Sequence, residues 1–203
     1  MARPKATPEQ RAAVRRSIQA AATDLYRAEG IAAISARAVA TNAGVSVGTI
    51  YSYFGDLTGL MQSLWTGRIA EQEDVFRALA AKHAAPAARL QTLLEAYIAF
   101  GIEQDDLYRG TLMFVRPTAH ETPDKQSLSN FAFPTLLKET VEAGQANGQF
   151  AEGDPATLTQ VLWSGVHGAL ALPINLDRLA LKPAAEMAAP VVEALMRMVQ
   201  DRR

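Results

Sequence analysis

Apolar residues recur at steps of three and four along almost the whole chain, and no run of alternating β-branched residues interrupts them. That period belongs to helices rather than strands, so the pattern predicts an all-α protein of about nine helices. Thr7, Pro8 and Glu9 suit the start of a first helix whose buried stripe is Val14, Ile18, Ala21, Ala22, Leu25 and Tyr26, and Gly30 suits its end. Ser35 can cap a short helix over 36–43, Gly44 and Val45 make a tight turn, and Ser46 can cap a third helix to about Tyr53. A long helix is predicted over 57–82.

Beyond residue 83, proline and glycine set the breaks. Pro86 opens a helix that passes through Leu90, Leu94, Tyr97, Ile98 and Gly101. Asp105 or Asp106 can cap a short helix over 107–115, which Pro117 stops. Residues 118–124 read as a polar loop, and Thr122, Pro123 and Asp124 have cap chemistry for a helix running to 146, kinked at Pro134. Asp154 and Pro155 open a helix over 156–172 that Pro173 stops. The last helix spans 183–200, with a bend or a later start at Pro190.

Length and composition narrow the possibilities. The 203 residues, 49% of them apolar, are enough for one soluble domain or a small domain joined to a larger one. With no cysteine, disulfide frameworks, thiolate nucleophiles and thiolate-bound metals are excluded. The N-terminal stretch lacks a signal-type apolar segment, and runs such as 168–174 fall far short of the roughly 20 residues that span a bilayer. A cytoplasmic protein that does not enter membranes is therefore expected.

The net charge of -1 excludes a globally basic nucleic-acid binder. It also conceals an asymmetry. Residues 1–55 carry seven Lys/Arg against three acids, a net of +4, and leave a net of -5 for the rest. A basic end on an acidic body suits a polyanion met at that end only, although ordinary scatter gives the same figure.

Residues 35–54 decide between these readings. Two short helices joined at Gly44, with Ala40 and Ala43 where they cross, have the dimensions of a helix-turn-helix. Val39, Val45, Ile50 and Phe54 anchor the second helix, which leaves Val47, Gly48, Thr49, Tyr51, Ser52 and Tyr53 to project outward or along a groove wall. Hydroxyls that donate to phosphates, with Val47, Thr49 and Tyr51 able to touch thymine methyls or base edges, suit a major groove.

The segments Ser35-Ala-Arg-Ala-Val-Ala40, Ala43-Gly-Val-Ser46 and Gly48-Thr-Ile-Tyr-Ser-Tyr-Phe54, followed by Leu60, resemble the N-terminal domain of the TetR family of transcriptional regulators over about residues 10–65. The resemblance implies a DNA-binding head, 1–56, on a ligand-binding and dimerising body, 57–203, in a homodimeric repressor released from a palindromic double-stranded DNA operator by a small, largely apolar effector. It further implies that Ser35 and Tyr53 meet phosphates, that Arg37 lies near the DNA backbone, and that Thr49, Tyr51 and Ser52 are base-edge contacts. Ser46, Val47 and Gly48 complete the expected DNA-facing set. Leu57 departs from the family, which commonly has lysine there, and Arg3 or Lys5 could compensate. The sequence Trp163-Ser-Gly-Val-His167-Gly168 is similar to a tryptophan, histidine, glycine pattern in the C-terminal domain of one TetR subgroup.

In the body, Trp163 and His167 share one helical face. They either wall a ligand pocket or pack as a tryptophan and a satisfied core histidine. Trp65, Tyr97, Phe100, Met113, Phe114 and Phe131 are candidates for the same pocket, with ordinary core packing as the alternative. Leu158, Val161, Leu162, Gly165 and Ala169 form one apolar stripe, and Val191, Leu195 and Met198 another. The resemblance implies that these pair with their mates in a four-helix dimer interface; burial within one subunit is the other possibility.

No enzyme, cofactor or metal is expected. His120, Glu121 and Asp124 could be imagined as metal ligands, but Pro123 breaks the helical face they would need. No phosphate-cradling glycine loop and no nucleophile with its base is recognisable. The competing class is a helical small-molecule binding protein that does not read DNA.

Overall fold

The structure, a computed structural model, describes residues 7–113, 130–176 and 178–200. Among the described residues are nine α-helices and no strand: α1 (Pro8–Glu29), α2 (Ala36–Ala43), α3 (Val47–Phe54), α4 (Leu57–Ala81), α5 (Pro86–Glu103), α6 (Asp105–Leu112), α7 (Ala132–Ala146), α8 (Pro155–Asn175) and α9 (Ala184–Gln200). The all-α expectation holds. The chain divides into two compact units, one holding the N-terminal residues through Gly67 with the segment that begins at Gly110, the other Arg68–Arg109 and the later helices.

In the first unit the ends of the helices follow from their caps. The Thr7 hydroxyl accepts from the Gln10 amide at 3.3 Å while the Gln10 side chain accepts from the Thr7 amide at 2.9 Å, a reciprocal capping box. Gly30, at φ 78°, closes α1 with its N–H donating to the Tyr26 carbonyl. The hydroxyls of Ser35 and Ser46 each accept from the third residue of α2 and α3, both at 3.1 Å.

Between these two helices Gly44 adopts φ 65°. The Val45 N–H reaches back to the Ala40 carbonyl at 2.9 Å and the Gly44 N–H to that of Thr41 at 3.3 Å. This is a Schellman closure, which needs the left-handed residue that glycine supplies without strain.

Ile18, Ala22, Ile34, Val39, Ala40, Ile50, Leu60 and Met61 form the core of this unit. Burying each of its larger aliphatic side chains contributes roughly 1.5–3 kcal/mol. Polar ties reinforce it: the Asn42 amide donates to the Ala21 carbonyl at 3.0 Å, and the Gln19 amide donates to the Ser63 carbonyl and hydroxyl at 3.2 and 3.0 Å.

The second unit packs α5, α7, α8 and α9 around Leu90, Leu93, Leu94, Ile98, Leu137, Val141, Leu162, Val166, Leu170, Val192 and Val199. Close approach is achieved with glycine. A Cβ on Gly101 would enter the Leu170 side chain, and one on Gly165 would lie 2.8 Å from a Leu195 methyl carbon. From α4, Arg68 makes a bidentate pair with Asp106 on α6, at 2.7 and 3.2 Å.

Three helix boundaries differ from expectation. α6 begins at Asp105, so Asp105 and Asp106 occupy its first turn instead of preceding it. There their charge favours the positive end of the helix dipole. α7 begins at Ala132 with Phe131 at the cap, and Pro134 lies in its first turn. A proline there costs no ladder bond, so the expected kink is replaced by a helix start. The cap at Thr122–Asp124 and the stop at Pro117 lie outside the described residues.

α8, finally, runs through Pro173 to Asn175. The proline forfeits only its own donor, and the Leu176 N–H still reaches the Leu172 carbonyl at 2.9 Å. In α9, Pro190 is likewise interior to the helix rather than its start.

Candidate nucleic-acid interface and aromatic site

The exposed side of α3 is built by burying its other side. Ile50 is completely buried, whereas Ser46, Gly48, Tyr51 and Ser52 are exposed, Tyr51 to 48%. Thr49 is half-buried and its hydroxyl shares a 2.8 Å hydrogen bond with that of Ser46. Ser35 and Arg37, on and before α2, are exposed.

Two members of the set expected to project outward or along a groove wall lie toward the core side of the helix. Val47 and Tyr53 are partly buried and pack against the core of the unit. On an eight-residue helix one face must be given to the core, and these two flank Ile50 at three-residue steps. Leu57 packs against the same core, so the position where the family commonly has lysine contributes burial here.

The sequence does not signal the part played by Arg11 and Arg15. The Arg15 guanidinium donates to the Tyr53 carbonyl at 2.9 Å and sits 4.4 Å from the centre of the Phe54 ring. Arg11 lies 5.8 Å from the centre of the Tyr53 ring. Both cations stand at the C-terminal end of α3, where unsatisfied carbonyls favour positive charge. Near α3 the structure thus collects hydroxyls, an exposed tyrosine and three exposed arginines, Arg11, Arg15 and Arg37.

In the second unit an aromatic cluster surrounds His167. Tyr97 stacks on Phe133 with ring centres 4.5 Å apart, Phe76 lies 5.0 Å from Phe133, and Trp163 meets Tyr97 edge-on at 6.4 Å. Phe100 joins at 6.3 Å from Tyr97. Both Tyr97 and Tyr108 direct their hydroxyls at His167 Nδ1, at 3.0 and 2.9 Å. Burial lowers the His167 pKa, so a neutral imidazole is favoured. It raises both phenols well above the ordinary tyrosine range, keeping them protonated. The buried Trp163 indole N–H meets no acceptor in hydrogen-bonding geometry, although its proximity to the Tyr97 oxygen acts against the larger effect of burial there.

The cluster thus brings together Tyr97, Phe100, Trp163 and His167 of the expected pocket, and adds Tyr108, Phe76 and Phe133. Others lie elsewhere. Trp65 is buried in the first unit, edge-on to Tyr26 at 5.3 Å and close enough to Gly110 that a Cβ there would meet its ring at 2.6 Å. Met113 is half-buried in that unit, and Phe131 is 42% exposed at the cap of α7. Phe114, like His120, Glu121 and Asp124, lies outside the described residues. A separate cleft of about 410 Å³ on α5 and α9 is lined by Glu95, Ile98, Ala99, Ile102, Glu103 and alanines, and by none of the aromatic cluster. Among the described residues no group of three or more His, Asp or Glu could hold a metal ion, and no helix is long and apolar enough to cross a membrane.

On α8 and α9 the apolar stripes divide. Leu162 is sealed within its own chain, Ala169 is 9% exposed and Gly165 packs on Leu195. Val161 and Met198 remain open, at 41% and 38%, and Leu158 and Val191 are half-buried. Leu172, Leu176 and Leu179 extend the exposed apolar surface past the end of α8, at 53%, 42% and 57%.

A capped helix-turn-helix with one hydroxyl-bearing face turned to solvent, joined to a helical body, defines a DNA-binding regulator. Residues 18–64 match the sequence model of the bacterial regulatory proteins of the tetR family. The fold is shared with solved structures. The fatty acid degradation regulator FadR from Bacillus halodurans is 20% identical, with a TM-score of 0.63 over 98% of this chain and 100% of that one. FadR from Bacillus subtilis in complex with stearoyl-CoA is 17% identical, with a TM-score of 0.64 over 91% and 98%. RolR in complex with resorcinol is 15% identical, with a TM-score of 0.61 over 97% and 92%. No curated protein matches the chain.

Proposed function

We propose that this regulator is a homodimeric repressor whose operator is released when a small, largely apolar effector enters the body. The functional division runs between a head, 1–56, and a body, 57–203. The observation that carries the reading is α3: buried through Ile50, it keeps Ser46, Gly48, Tyr51 and Ser52 free to meet base edges and phosphates. Ser35 and Arg37 supply further backbone contacts, Thr49 adds its methyl, and Tyr53 offers its hydroxyl from a partly buried ring.

The exposed apolar residues of α8 and α9, Val161, Leu172 and Met198 among them, support pairing with a second copy. A twofold pair of heads fits half-sites in successive major-groove faces. The effector site is the cluster around His167, where four of the expected pocket residues converge. The stearoyl-CoA and resorcinol complexes of proteins with this fold support ligand binding by such a body. We place the protein in the cytoplasm and assign it no catalytic role.

Selection from a pool of random duplexes tests the reading. An enriched palindrome, bound by a dimer, is expected. Absence of any enrichment at low salt would instead favour a helical small-molecule binding protein that does not read DNA.

A further inference from the structure

The two units use their cations differently. In the second, Arg68, Arg77, Arg109, Lys138 and Arg197 each pair with a carboxylate. Among the described residues of the first, Arg11, Arg15, Arg16, Arg27 and Arg37 form no ion pair. The acids beside this part of α1 and the end of α3 are engaged at helix starts instead. Hydrogen bonds from its own amide and from the Thr7 side chain hold the Glu9 carboxyl below the usual range, and Asp56 accepts from the Gly59 amide at 2.6 Å.

Two of these unpaired cations flank α3. Arg11 and Arg15 are exposed and one turn apart on one face of α1, Arg11 5.8 Å from the centre of the Tyr53 ring and Arg15 4.4 Å from that of Phe54. The bond to the Tyr53 carbonyl takes one of the five N–H donors of the Arg15 guanidinium and leaves the others for an anion. Bond and stack together hold the group in place, so less side-chain freedom is lost when it binds.

We propose that Arg11 and Arg15 bind phosphates of the DNA backbone, beside the base-reading part of α3 and on duplexes of any sequence. The inference rests on reading α3 as the DNA-facing helix. A guanidinium matches a phosphate with two parallel hydrogen bonds. Tyr51 and Ser52 keep the base edges, so the two arginines add affinity and no discrimination.

Binding of a mixed-sequence duplex to the full-length protein, followed by fluorescence anisotropy over a series of salt concentrations, tests the proposal. The logarithm of the affinity should fall linearly with that of the salt concentration, and Arg11→Gln and Arg15→Gln should each flatten the slope by about 0.9 for every head bound. Among the described residues the Arg11 side chain makes no hydrogen bond, so Arg11→Gln keeps the polar ties of α3 intact. Arg15→Lys, which gives up the stack and keeps the charge, should retain the slope. Arg27→Gln is the control: it removes an equally unpaired cation about 24 Å along α1 from Arg11 and should also leave the slope unchanged. On a duplex enriched from the pool, Arg11→Gln and Arg15→Gln should lose affinity by the same factor as on the mixed one.

A wild-type slope in both glutamine variants overturns the proposal even where affinity falls, because a purely structural role weakens binding without changing the number of counterions released. Equal flattening by Arg27→Gln overturns it too, as does a lost preference for the enriched duplex, which would put the arginines at base edges or in the folding of α3. Should the wild type bind neither duplex at low salt, the DNA-facing reading of α3 falls and this proposal with it.

Discussion

His167 and Tyr108, 59 residues apart in sequence, meet at 2.9 Å between Nδ1 and the phenol oxygen. Tyr108 lies on α6 and His167 on α8, so the contact ties a short helix to the central helix of the body. Its chemistry makes the body sensitive to pH in a direction that can be worked out.

Burial lowers the His167 pKa below its usual 6.5. As pH falls below that value the unfolded chain takes up a proton before the folded one, so stability is complete above it and declines beneath it. Asp106, whose carboxyl Arg68 holds below the usual 3.8, acts only at more acidic pH. The two phenols, raised by burial, act at the other end: stability declines as pH rises past 10. Thermal unfolding at pH 7.5 and 5.5 should show a larger drop in Tm for the wild type than for His167→Gln. An equal drop would place the sensitivity in other groups.

Gly101→Ala should destabilise the body by roughly 1–3 kcal/mol, because the added methyl meets the Leu170 side chain where α5 and α8 cross. Denaturant unfolding measures this. A shift of the midpoint with an unchanged slope is expected.

Arg15→Ala should weaken the head. It removes the donor to the Tyr53 carbonyl and the cation over Phe54, together about 0.5–1.5 kcal/mol at an exposed site. Amide exchange in α3 should quicken, and Arg15→Lys should restore only part of the protection, since an ammonium does not reproduce the planar stacking.

Ser46→Ala removes the acceptor for the Thr49 amide at the start of α3 and should cost about 1 kcal/mol. Asn at the same position should recover most of it, whereas Val should not. Unfolding of the three variants under one set of conditions ranks them.

Local chemistry explains which features were legible in the sequence. Thr7, Ser35, Ser46 and Asp154 cap the helices expected of them, because a cap and its amide lie within three residues. The turn at Gly44 was readable for the same reason. α7 was not: its first amide, on Ala132, is satisfied by the Glu73 carboxylate from α4, 59 residues away. Pro173 read as a stop, yet the apolar packing of α8 carries the helix past it.

The aromatic site was half legible. Trp163 and His167 announce themselves by their spacing on one helix, and Tyr97 and Phe100 by the apolar stripe of α5. Tyr108 carries no local mark, since its partner lies on a distant helix. Trp65, equally aromatic, belongs to the first unit, where Gly110 leaves room for its ring.

Footprinting on a duplex selected from a random pool tests the DNA-reading face most directly. Two protected major-groove patches about one helical turn apart, or a simple multiple of that, are predicted for the wild type, both fading in Tyr51→Ala while its thermal unfolding stays unchanged. A single patch, or two patches that persist in Tyr51→Ala, would contradict the assignment of α3 as the paired reading helix.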